Sequence, residues 1–145
     1  MAPQDQADNI HVHKIPLRWN DFDRYGHVTN SAYIEIAQEA RLAFAHDYFY
    51  SQGHEFVAFV RRVEADYVRP MLPNNTVATV ETQVVKLGTT SFTTRQDVKD
   101  AQGRVCCTVE TVQVTIDHDN SAPRAITQKE LGILSQTAAS TVVEQ

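Results

Sequence analysis

The chain is 145 residues long, with 42% hydrophobic residues, a formal net charge of -5 and a sequence pI near 5.6. That length and apolar content suit one domain whose core needs no disulfide or metal staple, and the acidic balance excludes a nucleic-acid binder, since Arg61-Arg62 is too short a run to neutralise a phosphate backbone. The polar start has no apolar signal core and no later stretch nears the ~18 apolar residues of a membrane span, so a soluble, unprocessed chain is expected.

Residues 1 to about 9 read as a disordered start. His13, Ile15, Leu17 and Trp19 then alternate with polar neighbours and predict a strand, with Pro16 marking a sheet edge. From Asn30 to about residue 50 the apolar positions Tyr33, Ile36, Ala37, Ala40, Phe44 and Tyr48 recur every three or four residues, which predicts a helix begun by Thr29, Asn30 or Ser31 and closed by Gly53. Its apolar residues occupy more than one side, so other structure should embrace it.

From Phe56 to Asp117 the pattern is strand after strand. Phe56 to Val68 is the first, with a bulge expected near Glu64-Ala65; Thr76 to Leu87 and Thr90 to Lys99 pair around Gly88; Arg104 to Asp117 follows the turn Asp100-Ala101-Gln102-Gly103. Short turns between long strands predict an antiparallel sheet, and the lone helix must pack on its face, giving an α+β fold. Thr127 to Ser135 predicts one or two last helical turns. The domain is expected over 10–135, with Gln136 to Gln145 fraying.

Chemistry concentrates between the first strand and the helix, in Arg18-Trp19-Asn20-Asp21-Phe22-Asp23-Arg24-Tyr25-Gly26-His27-Val28-Thr29-Asn30. A helix start leaves N–H groups without partners and carries partial positive charge, so it can hold an oxyanion developing on a carbonyl. Asp23, seven residues upstream across Gly26, supplies a base or nucleophile beside that donor, the minimum equipment for acyl transfer. The bland alternative is loop chemistry alone: one carboxylate accepting turn N–H groups, the other solvated.

This run, followed by Tyr33 and Glu39-Ala40-Arg41, resembles the hotdog-fold acyl-CoA thioesterases of the 4-hydroxybenzoyl-CoA thioesterase type, in which an antiparallel sheet wraps one long central helix. Glu64-Ala65-Asp66-Tyr67-Val68-Arg69-Pro70-Met71-Leu72-Pro73 is similar to the family's second strand and following turn. The resemblance implies that Asp23 is the catalytic carboxylate, by direct attack or by activating water, and that the Asn30 N–H receives the thioester oxygen. Thr29-Asn30 stands where many relatives carry Asn-Asn, and Thr29 retains the ability to cap. Homodimers or homotetramers with the site at a subunit interface are implied. So is a cytoplasmic hydrolase needing no cofactor, coenzyme A being part of the substrate.

Around that pair, Asp21, Tyr25, Gly26, Tyr33 and Glu39 are candidate substrate contacts, Glu39 alternatively forming a structural pair in the helix interior. His27 can orient the loop, polarise a carbonyl or shuttle a proton. Cys106 and Cys107 are adjacent on a strand and read as free thiols. His11-x-His13 lacks a third ligand at diagnostic spacing, and Asp117-His118-Asp119-Asn120 reads as a turn, so no metal is expected. A hydratase or dehydratase of the same fold, and an acyl-binding module without turnover, are the alternative functions.

Overall fold

In the computed structural model, which describes residues 9–144 (140–144 as backbone only), the expected helix forms over Asn30–Tyr48 (α1). The Thr29 side chain accepts the Ala32 N–H at 3.1 Å and so caps it. After Phe49 a 3-10 turn, Tyr50–Gln52, ends at Gly53, whose φ of 80° is the left-handed conformation a helix-terminating glycine adopts.

The strands are β1 (His11–Pro16), β2 (Ala58–Tyr67), β3 (Val77–Leu87), β4 (Ser91–Lys99) and β5 (Val105–Thr115), followed by α2 (Gln128–Leu134) and β6 (Ala138–Glu144). They form one sheet in the order β1-β3-β4-β5-β2, antiparallel along that path, so the α+β expectation holds. Pro16 ends edge strand β1, and Trp19 leaves the strand direction for a 3-10 turn, Trp19–Asp21. Thr127 caps α2 in a reciprocal box with Glu130, which also takes a two-pronged Arg124 contact at 2.8 Å.

Two expectations are corrected here. The bulge in β2 falls between Val60 and Arg62, not near Glu64-Ala65. The bulge leaves Arg61 without a ladder partner, and Arg61 and Arg62 are exposed like the rest of Phe59 to Glu64 on this edge. The segment expected to fray after residue 136 is instead β6, parallel to β3. β1 covers only Val77 to Thr82 of the long strand β3, and β6 pairs with Val84 to Leu87, where unpaired ladder groups would otherwise remain. The disordered start expected for residues 1 to about 9 lies almost wholly outside the described residues.

α1 lies on the sheet through two apolar clusters. Ala37 and Ala40 carry no exposed surface, and these short side chains let the helix approach Val80, Val98 and Val109 closely. Toward the helix C-terminus, Phe44, Phe49, Phe56 and Phe92 pack with Leu134, stacking the Phe49 and Phe56 rings at 4.0 Å. The opposite stripe of α1, through Glu35, Gln38, Leu42 and His46, is open within one chain. Among the described residues, the embrace expected from other structure comes from the sheet side alone.

Candidate active site

The segment before α1 folds on itself through its own carboxylates. Asp21 is buried: its side chain accepts the Arg18 N–H at 2.7 Å and a guanidinium N–H at 3.1 Å, and its carbonyl accepts the Thr29 N–H at 2.8 Å. Asp21 thus ties the entry of the loop to the start of the helix. Two residues on, Asp23 is exposed, with Oδ1 accepting the N–H groups of Tyr25 (2.8 Å) and His27 (3.1 Å). The Asp23 N–H donates to the His27 carbonyl at 2.8 Å and closes the loop.

That closure requires Gly26 at φ 78°, and a Cβ there would stand 3.2 Å from Pro73 Cγ. Gly26→Ala is expected to cost about 1–2 kcal/mol from the left-handed backbone alone, read by chemical denaturation. The substitution should also displace the loop that positions Asp23.

The His27 N–H, supported by that of Tyr25, holds the Asp23 carboxyl below its ordinary value of 3.8 against the opposing effect of desolvation. Oδ2 has no protein donor among the described residues. At the helix start, Thr29 Oγ1 and its carbonyl satisfy Ala32 and Tyr33, while the Asn30 N–H has no acceptor among the described residues. Asp23, with an ionised oxygen, and Asn30, with an unused helix-end donor, both line one space.

That space is a cleft of about 240 Å³ lined by Asp23, His27, Asn30, Tyr33, Tyr67 and Arg69, with Val28, Val68 and Pro70. The Tyr33 hydroxyl accepts the Met71 N–H at 3.1 Å, and burial pushes its pKa up to about 12, so the phenol stays neutral. Tyr67 donates to the Asn30 carbonyl at 3.3 Å and packs on the Tyr33 ring at 5.7 Å, joining the end of β2 to the start of α1.

Of the eight residues singled out from the sequence, the cleft gathers Asp23, His27, Asn30 and Tyr33. Asp21 is turned inward to Arg18, Tyr25 is 74% exposed beneath Arg24, Gly26 shapes the loop from behind, and Glu39 lies on the open stripe of α1. None of these four lines the cleft. Glu39 is exposed, so the buried acid expected there does not exist; Arg41, two residues on, is the buried charge. Tyr67 and Arg69 read in the sequence only as part of a family-like strand and turn and are not assigned to the site there. The only local signal was the break from strand alternation at Arg69-Pro70, after which the chain turns toward the helix start.

The thiols of Cys106 and Cys107 are both buried, and burial raises both, Cys107 to about 12, so neither is poised as a nucleophile. His11 is buried and bonds Asp47 at 2.7 Å. Among the described residues no group of three or more His, Cys, Asp or Glu is placed to hold a metal ion, and no helix is long and apolar enough to cross a membrane.

Comparison with solved structures finds the same fold. A Pseudomonas aeruginosa protein is 26% identical (TM-score 0.77, 90% of this chain and 92% of that one). A thioesterase-superfamily protein from Jannaschia is 21% identical (TM-score 0.83, 97% and 99%), and a Thermus thermophilus thioesterase complexed with coenzyme A and zinc is 23% identical (TM-score 0.73, 85% and 95%). No curated protein matches the chain significantly. The model of the thioesterase-like superfamily matches residues 17–134, a span that includes the Asp23 loop, α1 and β1's exit through α2. With that match over most of its length, the chain belongs to the thioesterase-like superfamily, built on the hotdog fold.

Proposed function

We propose that the protein hydrolyses an acyl-CoA thioester to the free acid and coenzyme A at the Asp23 cleft. The observation that carries this is that Asp23, whose carboxylate is ionised, and Asn30, whose N–H is unused, line the same cleft. In the water route Asp23 takes a proton from a water as its oxygen attacks the thioester carbon. The carbonyl oxygen becomes anionic against the Asn30 N–H, and collapse expels the thiolate, which takes up a proton. In the direct route Asp23 itself attacks, and water then cleaves the mixed anhydride. The coenzyme A held by the Thermus thioesterase supports a ligand of this class. Arg69, exposed at the cleft rim, is suited to one of its phosphates.

Thiol release from a panel of acyl-CoAs tests the reading. Release sustains it. Binding without release favours an acyl-binding module, and a change in enoyl absorbance without release favours a hydratase. The lowered Asp23 pKa fixes the acid limb: the active form is the carboxylate, present above its folded pKa and lost as pH falls through it. kcat/KM should therefore stay level down through the ordinary Asp range and fall only below 3.8. A limb well above the carboxylate range would remove Asp23 as the base.

The functional unit we propose is a homodimer or a pair of dimers. Among the described residues β2 has no partner on its outer edge, and its Phe59, Val60, Val63 and Tyr67 are exposed, as is Leu42 of α1, an apolar face that a second copy would cover. The buried, unbridged thiols suit the cytoplasm.

A further inference from the structure

A second cleft, of about 190 Å³, lies at the other end of the seam between α1 and β2. Its walls are mostly apolar, from Leu42, Phe44, Phe56, Ala58, Val60 and Phe92, with the uncharged polar groups of Gln38, Tyr50 and Gln113 beside them; its one charged lining residue is Arg41, only 8% exposed. One terminal nitrogen of Arg41 donates to Gln96 Oε1 (3.1 Å) and Thr111 Oγ1 (3.2 Å). Its other N–H groups have no acceptor among the described residues, and no carboxylate there comes within ion-pairing distance.

A buried cation without a counter-charge costs several kcal/mol. Burial lowers the Arg41 pKa with no acidic neighbour opposing it. Gln96 and Thr111 fix the guanidinium but cannot neutralise it. An anion entering among apolar walls would meet preset donors in a fork suited to a carboxylate.

Position says what that anion is attached to. The Asp23 cleft is walled by Asn30 and Tyr33 of α1 and by Tyr67 at the end of β2; the Arg41 cleft by Gln38 to Ala45 of α1 and by Ala58 and Val60 at the start of β2. Both thus lie on one helix–strand seam. Arg41 stands eleven residues beyond Asn30, about 16 Å along the axis, and helical side chains lean back toward the N-terminus. A long acyl chain laid along the seam from the thioester would bring its far end to Arg41.

We infer that the Arg41 cleft selects acyl-CoAs whose long acyl chain ends in a carboxylate, the guanidinium binding that distal group. This rests on the thioesterase reading for its attachment to the Asp23 cleft.

The test compares dodecanedioyl-CoA with dodecanoyl-CoA on the full-length protein, by kcat/KM from thiol release and by calorimetric Kd. Expected is a preference for the dicarboxylyl ester of about 10-fold or more, the worth of a hydrogen bond to a charged group. Arg41→Gln should reduce the ratio to about one. Should that variant fail to fold, Gln113→Glu serves, because it places an isosteric internal counter-ion at the wall of the same cleft and should also abolish the preference. No preference in the wild type, or a preference that survives Gln113→Glu, overturns the inference; the former would assign the Arg41 charge to a carboxylate of a second copy. Failure of the hydrolase reading is distinguishable: a Kd preference with no thiol release keeps the carboxylate subsite and removes the thioesterase.

Discussion

Replacing Asp23 with Asn is expected to lower kcat for thioester hydrolysis by about 10²–10⁴-fold with little change in folding. The substitution is nearly isosteric, and the side-chain oxygen can still accept the Tyr25 and His27 N–H groups that close the loop. What it removes is the negative charge and basicity of the second oxygen. Coenzyme A binding should persist, because Asn30, Tyr67 and Arg69 are untouched, so the loss should fall on kcat and leave KM near its starting value. Single-turnover measurements with hydroxylamine then separate the two routes. Attack of hydroxylamine on the Asp23 carbonyl of a mixed anhydride leaves a hydroxamate on Asp23 and releases the free acid, so a hydroxamate at Asp23 identifies direct attack; its absence in an active enzyme identifies water activation. Undiminished thiol release from the variant would remove Asp23 from the mechanism.

The largest loss of stability is expected at Gln96, a residue with no exposed surface in the middle of β4. Its amide donates to the Ala37 carbonyl (2.9 Å) and to Thr82 Oγ1 (3.1 Å), and its oxygen accepts from Arg41. One side chain thus links α1, β3 and β4, and through Arg41 reaches Thr111 of β5. Gln96→Ala opens a cavity and strips partners from Arg41 and Thr82, at a cost on the order of 3 kcal/mol. For a chain of this size that corresponds to a Tm lower by roughly 10 °C. Gln96→Leu refills the volume without the polarity. If Leu matched the wild type in denaturant unfolding, packing alone would account for the site; the network predicts that Leu remains destabilised by well over half as much.

Much of this molecule is legible in its sequence because its signals are local. The α1 period, the Thr29 cap, Gly53 and the Asp100–Gly103 turn each act within a few residues, and each appears where it is expected. The Asp23 loop belongs to the same class, since its hydrogen bonds run between residues two to four apart. The misses are matters of tertiary partnership. β6 forms because β1 is shorter than β3, a mismatch no window of β6's own residues reveals. Glu39 and Arg41 both read as polar helix residues, and only the sheet beneath α1 decides that Arg41 is buried and Glu39 is not. Asp21 and Asp23 look alike in an Asp-x-Asp spacing. The 3-10 turn that turns one toward Arg18 and the other outward separates their roles. Tyr67 joins the site from 37 residues away.

The two rims of the sheet differ in a way that bears on how copies could accumulate. Along one rim, β1 and β6 run in opposite directions on the same flank of β3 and meet near Gln83, so an incoming chain would find a short, proline-ended template that reverses polarity midway. The other rim, β2, is continuous over ten residues apart from its bulge. Growth by strand addition can therefore start at one rim and has nowhere regular to continue. Joining like rims about a two-fold axis uses up the receptive one on each copy, so the pair terminates itself and does not seed a fibre.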